Sequence, residues 1–346
     1  MAITVATVPS IKKLARSLMA FGVCAAAGTA SVGASAQTAI ALGMSGWTGF
    51  APLSLADKAG IFKKNGLDVE LKMIPQKDRH LALASGAIQC AATTVETHVS
   101  WNANGVPITQ IFQMDKSYGA DGLAVRNDVK TFADLKGKTI ASPQLGNTQD
   151  VALRYWLKKK GLTTTTEGGG DVHIVPQDNA TTLASFIAGN IDGAWVPEPW
   201  VTRLVAEGNG TELVDESSLW KNGKFVVANT VAATAFAKKY PAAITAVIAA
   251  ELDAIAYIKS NPQAAKKLVN GSIKTLTGSV IDPTYLDKAW ASVDFTIDPL
   301  PSTLLASANH AHSLGLLDSV DLAGLYDLAP LDLLLAERGE KKVDAP

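Results

Sequence analysis

The sequence predicts an α/β protein of two lobes, one inserted into the other, and three observations carry that expectation. Short β-like runs alternate with longer helical ones, the pattern of βαβ units around a largely parallel sheet. The alternation restarts near residue 122 and gives way, after residue 233, to an almost wholly helical stretch. The chain has 346 residues, 47% of them hydrophobic and 18% charged, which suits one large or two medium globular domains.

The elements follow in order. Residues 1–36 stand apart from the fold. Lys12, Lys13 and Arg16 make a basic start, Leu18 to Ala27 is a short apolar run, and Ala34-Ser35-Ala36 reads as a cleavage site. This is an export signal, with Gln37 as the mature start and a periplasmic destination. The run is shorter than the roughly 20 residues a bilayer needs, and no other segment reads as long and apolar enough to span. Cys24 follows Val23, not the small residue that precedes a lipid-modified cysteine. Only Cys90 then remains. It sits in the apolar run Ala87–Ala91 and reads as a buried, inert thiol.

The first lobe opens with a strand at Ala39–Gly43 and a helix at Pro52–Ala59 that ends at Gly60. A strand at Leu67–Ile74, a short helix at Arg79–Ser85, a strand at Ile88–Thr94, a helix at Val95–Asn104 and a strand at Ile108–Met114 complete it. The second begins at Gly122–Val125 and continues through Lys138–Ala141. Its longest helix is Asn147–Lys160, with Asn147 or Thr148 as cap and Gly161 as stop. Asp171–Val175, Ala180–Ala188 and Ala194–Val196 finish that lobe. Phe225–Ala233 is a strand-like return. Residues 37–123 with 227–346 therefore make lobe I and residues 124–226 make lobe II. Crossings near Leu123–Arg126 and Val226–Ala233 form a two-strand hinge, and a hinge implies a cleft.

Four segments in this order share a resemblance. They are Phe50–Leu53 with Ala56 and Gly60–Glu70, Lys116–Gly122, Asp134–Ala141, and Val196-Pro197-Glu198-Pro199-Trp200. Together they resemble the periplasmic solute-binding proteins of the nitrate, sulfonate and taurine ABC importers, over most of residues 40–310. The resemblance implies a type II periplasmic-binding fold whose cleft closes on a ligand. It also implies a monomer that delivers its ligand to an inner-membrane permease with a cytoplasmic ATPase. It implies no catalysis and no cofactor.

Ligands of open α/β sheets sit beyond the carboxyl ends of the strands, where helix N-termini favour anions. Four corners qualify. Ser45–Phe50 offers glycines for close backbone approach, Thr48, and the rings of Trp47 and Phe50 as a wall. Thr93 and Thr94 stand where a strand enters a helix; both hydroxyls serve as caps or as ligand contacts. The resemblance assigns the anionic head to the turn and helix start at Asn147 and Thr148. In the last corner the two prolines fix φ near about −65° and aim Glu198 and Trp200. Glu198 faces a ligand amine or pairs with Arg203. Trp195 reads as core or cleft wall. Tyr118 lies near the hinge. Arg79 and His80, a basic corner at a helix start, either face the cleft or form a solvated surface turn.

Other classes find little support. The formal net charge is −1, which does not invite nucleic acid. The five histidines are scattered without metal-ligand spacing, and GxSxG, HExxH and P-loop signatures are absent. Some enzymes of thiamin-pyrimidine or menaquinone synthesis share this fold, but the pyrimidine synthases carry a Cys-rich iron segment that this chain lacks. The expected ligand is a small organic anion of the sulfonate or taurine kind. An aromatic carboxylate and a thiamin-type pyrimidine stand as alternatives, and a sensor that docks a receptor stays open.

Overall fold

The computed structural model describes residues 38–343. The export signal, Cys24 and the Gln37 start lie outside the described residues. The strands are β1 (Thr38–Met44), β2 (Leu67–Met73), β3 (Cys90–Thr94), β4 (Ile108–Gln113), β5 (Asp115–Ser117), β6 (Asp121–Arg126), β7 (Thr139–Ser142), β8 (Thr164–Thr165), β9 (Val172–Pro176), β10 (Gly193–Pro197), β11 (Gly210–Asp215), β12 (Phe225–Val226), β13 (Ala228–Ala233) and β14 (Val293–Phe295). The α-helices are α1 (Ala51–Lys58), α2 (Ile61–Lys64), α3 (Gln76–Ala84), α4 (Val95–Ala103), α5 (Thr148–Lys159), α6 (Asn179–Ala188), α7 (Trp200–Ala206), α8 (Thr234–Lys239), α9 (Pro241–Ser260), α10 (Pro262–Thr277), α11 (Pro283–Ala291), α12 (Pro301–Ser313) and α13 (Ala329–Glu337).

Two main sheets result, each the centre of an α/β lobe. The first has the order β2-β1-β3-β13-β4, with β1 parallel to both its neighbours and β13 antiparallel to β3 and β4. The second has the order β11-β6-β10-β7-β9-β8; β7 to β10 run parallel and β6 runs against β10 and β11. The expected α/β class is what the structure shows.

A third ribbon, β12-β5-β14, joins the two lobes. Leu123–Arg126 lies wholly inside the second sheet and Ala228–Ala233 wholly inside the first. The chain passes out through β5, one element before the expected Leu123–Arg126, and back through β12, whose Val226 opens the expected Val226–Ala233. The outward crossing turns at Gly119, whose φ of +99° suits glycine, and a Cβ there would sit 2.9 Å from Asp215 Oδ1.

Each lobe has its own core. Leu123, Leu153, Ile174 and Trp195 sit in the second, and β1, α1 and α9 pack together in the first. By length and composition α9 could cross a membrane, contrary to the sequence expectation. Its apolar surface is taken up by lobe I, where Ile244, Val247, Ile248, Leu252 and Ile255 join the core. A helix covered on several sides has no reason to keep a polar face.

Cys90 is free and buried, and burial with the nearby Glu251 charge pushes its thiol up to about 12. Glu251 is wholly buried on α9 and accepts from Thr230 Oγ1 at 2.9 Å. Burial raises its carboxyl to about 8, against an ordinary value of 4.5. A raised folded value means the neutral acid is the form that suits the fold. Its stabilisation is complete below the unfolded value and is lost as pH rises through about 8. Urea midpoints at pH 5 and pH 8.5 should therefore fall with pH in the native protein. E251Q, which keeps a neutral hydrogen-bonding group, should lose clearly less over that interval. An unchanged slope would refute the assignment.

Candidate functional site

The carboxyl ends of the parallel strands face one another across the interlobe boundary. On the first lobe the turn after β1 folds the Trp47 and Phe50 rings edge to face, centroids 4.9 Å apart, and both are buried. Gly49 is glycine because a Cβ there would run into the Trp47 ring. Beneath Phe50 lies Arg79, its guanidinium carbon 5.5 Å from the ring centroid. Arg79 is wholly buried, so it is not the solvated turn that the sequence suggests. Its Nε donates to the Ile74 carbonyl at 2.9 Å and its Nη1 to that of Ala92 at 2.7 Å. The first carbonyl lies just past the end of β2 and the second midway along β3, and the arginine satisfies both. Burial lowers its value to about 9, so it keeps its charge at neutral pH. Arg79 Nη2, Trp47 Nε1, Thr48 Oγ1 and Thr93 Oγ1 are all buried with no partner among the described residues.

Thr94 occupies the N-cap of α4, but its hydroxyl caps no backbone amide. It meets Thr97 Oγ1 at 2.9 Å and Gln76 Nε2 at 3.2 Å instead, so a side-chain network replaces the expected cap. His80 is half-buried, its ring 5.7 Å from that of Trp101.

On the second lobe Asn147 caps α5, accepting from Asp150 N at 2.9 Å. Its Nδ2 donates to Gln149 Oε1 at 2.7 Å. Asp150 accepts from Gly146 N at 2.7 Å and pairs with Arg154 at 2.7 Å. The next two donors reach other carboxylates. Thr148 Oγ1 donates to Glu96 of α4, across the boundary, and Gln149 Nε2 donates to Asp121 at the start of β6. An apolar collar of Val95, Val99, Val151, Leu304 and Ala308 surrounds the Thr148–Glu96 contact.

Glu198 is buried and holds the first turn of α7, accepting from Thr202 N at 3.0 Å and Thr202 Oγ1 at 2.8 Å. Its ion-pair partner is Lys288 of α11 at 3.0 Å. The expected pair with Arg203 is not made. Five residues along a helix turn a side chain well away from its starting face, and Arg203 pairs with Glu207 at 2.8 Å while covering the Trp200 ring at 4.7 Å. Trp200 is half-buried on the flank of α7. Tyr118 lies on the joining ribbon, with Lys224 over its ring at 4.8 Å and its hydroxyl 3.5 Å from Asp294 Oδ2. Trp195 is core and donates to the buried Glu216 at 2.7 Å.

Trp47, Thr48, Phe50 and Arg79 thus gather on the first edge, while on the second Asn147 caps α5 and Thr148 reaches Glu96. Glu198 stands beside Lys288, and Tyr118 and Trp200 lie on the flanks. Sequence reasoning missed Glu96, Asp121, Gln149 and Lys288. Of these, Glu96 and Asp121 carried a signal, as acids at the junctions where a strand or helix begins. The boundary is acidic. Burial raises Glu96, and burial with the charges of Glu96 and Glu198 lifts Asp121 to about 7 against the bond from Gln149.

Two α/β lobes meeting along facing strand ends and joined by a short ribbon make up the type II periplasmic-binding-protein fold. Solved structures share the fold. The alkanesulfonate-binding protein SsuA from Xanthomonas axonopodis pv. citri, bound to MOPS, superposes with a TM-score of 0.66 at 20% identity, covering 82% of this chain and 94% of that one. The chain belongs to the NMT1-like family, which matches it over residues 33–271. It is 29% identical over 184 residues to the Taurine-binding periplasmic protein of Escherichia coli (strain K12), covering 52% of this chain and 54% of that protein. It is 27% identical over 227 residues to the Bicarbonate transport ATP-binding protein CmpC of Synechocystis sp., covering 60% of this chain and 33% of that protein. The chain thus spans between a third and about half of the length of these two relatives.

Lys288 and Glu198 test what holds the lobes shut. Lys288 is half exposed, so their coupling should be small, about 1 kcal/mol or less. K288M alone should lower the urea midpoint, because it leaves a buried carboxylate without its cation. Adding E198Q should recover part of that loss. A purely additive double mutant would show that the two do not communicate.

Proposed function

We propose that this chain is the exported solute receptor of an ABC importer, taking a small organic anion of the sulfonate or taurine kind between its lobes. It would hand that ligand to an inner-membrane permease driven by a cytoplasmic ATPase, without chemical change. The observation that carries the reading is the set of buried groups without partners on the first-lobe edge: Trp47 Nε1, Thr48 Oγ1, Thr93 Oγ1 and Arg79 Nη2. Leaving a buried donor unsatisfied costs roughly 1–3 kcal/mol. A sulfonate or carboxylate group offers the acceptors that would relieve it. The rings of Trp47 and Phe50 supply an apolar wall beside those donors. Thr94, Tyr118, Asn147, Thr148, Glu198 and Trp200 are the further residues assigned to the cleft. The names of the relatives, one taurine-binding and one alkanesulfonate-binding, support the same class.

Closure follows from where the groups sit. Ligand groups on the first lobe meet second-lobe residues only when the strand ends face each other, so a ligand touching both favours the shut form. The joining ribbon allows opening for entry and release.

A thermal-shift series of sulfonates, carboxylates, nitrate and pyrimidines tests the reading. A true ligand at 100 times its dissociation constant should stabilise the protein by about 2.7 kcal/mol. T48V, which removes the hydroxyl and keeps the shape, should weaken an anionic ligand by about tenfold while raising the unliganded melt, because an unpartnered buried hydroxyl is gone. If every anion is silent and a neutral pyrimidine shifts the melt, the anion assignment fails. The exported protein should begin at Gln37 by intact mass.

A further inference from the structure

We propose that ligand binding takes up protons: closing the lobes seals Glu96 of the first and Asp121 of the second into one dry cluster without a cation of its own, so the shut form holds hydrogen ions that the open form releases. This rests on the closing cleft of the reading above and adds a dependence of affinity on acidity. Glu96 stands in the first turn of α4, Asp121 opens β6, and both are buried. Asp121 Oδ1 takes the Gln149 amide, and its Oδ2 has no partner among the described residues. Glu96 takes the Thr148 hydroxyl from across the boundary and a bond from Ser307 of α12. Thr148 and Gln149 are consecutive, so the start of α5 brings the two acids together. The collar of Val95, Val99, Val151 and Leu304 keeps water from Glu96.

The charges around the pair are negative or already engaged. Glu198 lies beside Asp121 in the sheet, since its N donates to the Ala120 carbonyl at 2.6 Å, and it shares Lys288 with Glu212. Glu216, after β11, and Asp115, on β5, add further carboxylates. Arg154 of α5 is held by Asp150, and Arg203 of α7 by Glu207. On α12 the His310 ring stacks on Tyr155 at 3.7 Å, with Lys159 over the same tyrosine. Tyr326, beside Glu96, stays a neutral phenol. A carboxylate kept from water without a cation is most simply relieved by a proton. Burial, then repulsion from Glu96 and Glu198, outweighs the Gln149 bond and holds Asp121 at about 7 against 3.8, and burial raises Glu96 as well. When the lobes part, Glu96 loses Thr148, water reaches both acids, and they return toward their ordinary range. Glu216 and Glu251 take their bonds from Trp195 and Thr230 of their own lobes, so they stay buried either way. The raised value belongs to the shut form. Its gain in affinity is therefore complete below the ordinary carboxylate value and is lost as pH rises through about 7.

Titration calorimetry on the full mature chain measures the uptake. The probes are ethanesulfonate and 2-aminoethanesulfonate, whose own charge barely changes between pH 6 and pH 8, and the tighter binder decides. In buffers of different ionisation enthalpy at pH 7, binding should take up roughly half a proton or more. The dissociation constant should be about tenfold smaller at pH 6 than at pH 8. D121N, which keeps an acceptor for Gln149, should remove most of the uptake and flatten that ratio to below about threefold. A native protein that takes up no protons, or releases them, overturns the proposal and leaves the anion reading intact. Uptake that D121N leaves whole also overturns it, because another group then titrates. Silence of both probes overturns the proposal and the anion reading together. Should D121N fail to fold, E96Q, which keeps an acceptor for Thr148 and removes the repulsion on Asp121, takes its place with the same expected loss.

Discussion

A hydroxyl donated from one lobe to a carboxylate of the other, Thr148 to Glu96, is the contact around which the interlobe boundary is organised. A carboxylate can be buried only if its oxygens find donors. Glu96 is buried because Thr148 reaches it from the second lobe and because Val95, Val99, Val151 and Leu304 shut water out around it. Opening the lobes breaks that bond and rehydrates the acid. Ser307 of α12 donates to Glu96 as well, so Thr148 adds the second lobe's share of its satisfaction, and the raised value of Glu96 reflects its removal from water. The same logic extends to Glu198, whose cation comes from α11, a helix that lies between the Thr48–Phe50 turn and α7.

The fold was legible because its signals are local. Alternating apolar runs placed most of the strands and helices, and the apolar neighbours of Cys90 placed it inside. Asn147 announced itself as a cap, which it is. The outward crossing reads one element late, because a three-residue strand such as β5 carries too little pattern to separate from its neighbours. The expectation that no further segment is long and apolar enough to span meets its exception in α9. Composition alone cannot tell a helix packed in a core from one packed in lipid.

The site was less legible, since its pairings span long stretches of chain. Thr148 and Glu96 are 52 residues apart, and nothing near either one names the other. Arg79 stands in Gln-Lys-Asp-Arg-His, which reads as a wet turn. Only the arrangement of strands exposes the Ile74 and Ala92 carbonyls that draw it inward. Glu198 was given to Arg203 because Arg203 is near in sequence, yet helical geometry hands Arg203 to Glu207 and leaves Glu198 to a lysine from a distant helix.

These pairings divide the boundary by charge. Arg79 on the first edge keeps its proton at neutral pH, and three unpartnered groups beside it can donate. On the second edge the unpartnered atom is a carboxylate oxygen, and the helix dipole of α5 is already offset by Asp150, Asp121 and Glu96. A boundary polarised in this way sets unpartnered donors on one edge against an unpartnered carboxylate oxygen on the other. Specificity would then come from the groups left unmatched by the wrong ligand, which penalise it more than the matched groups reward the right one.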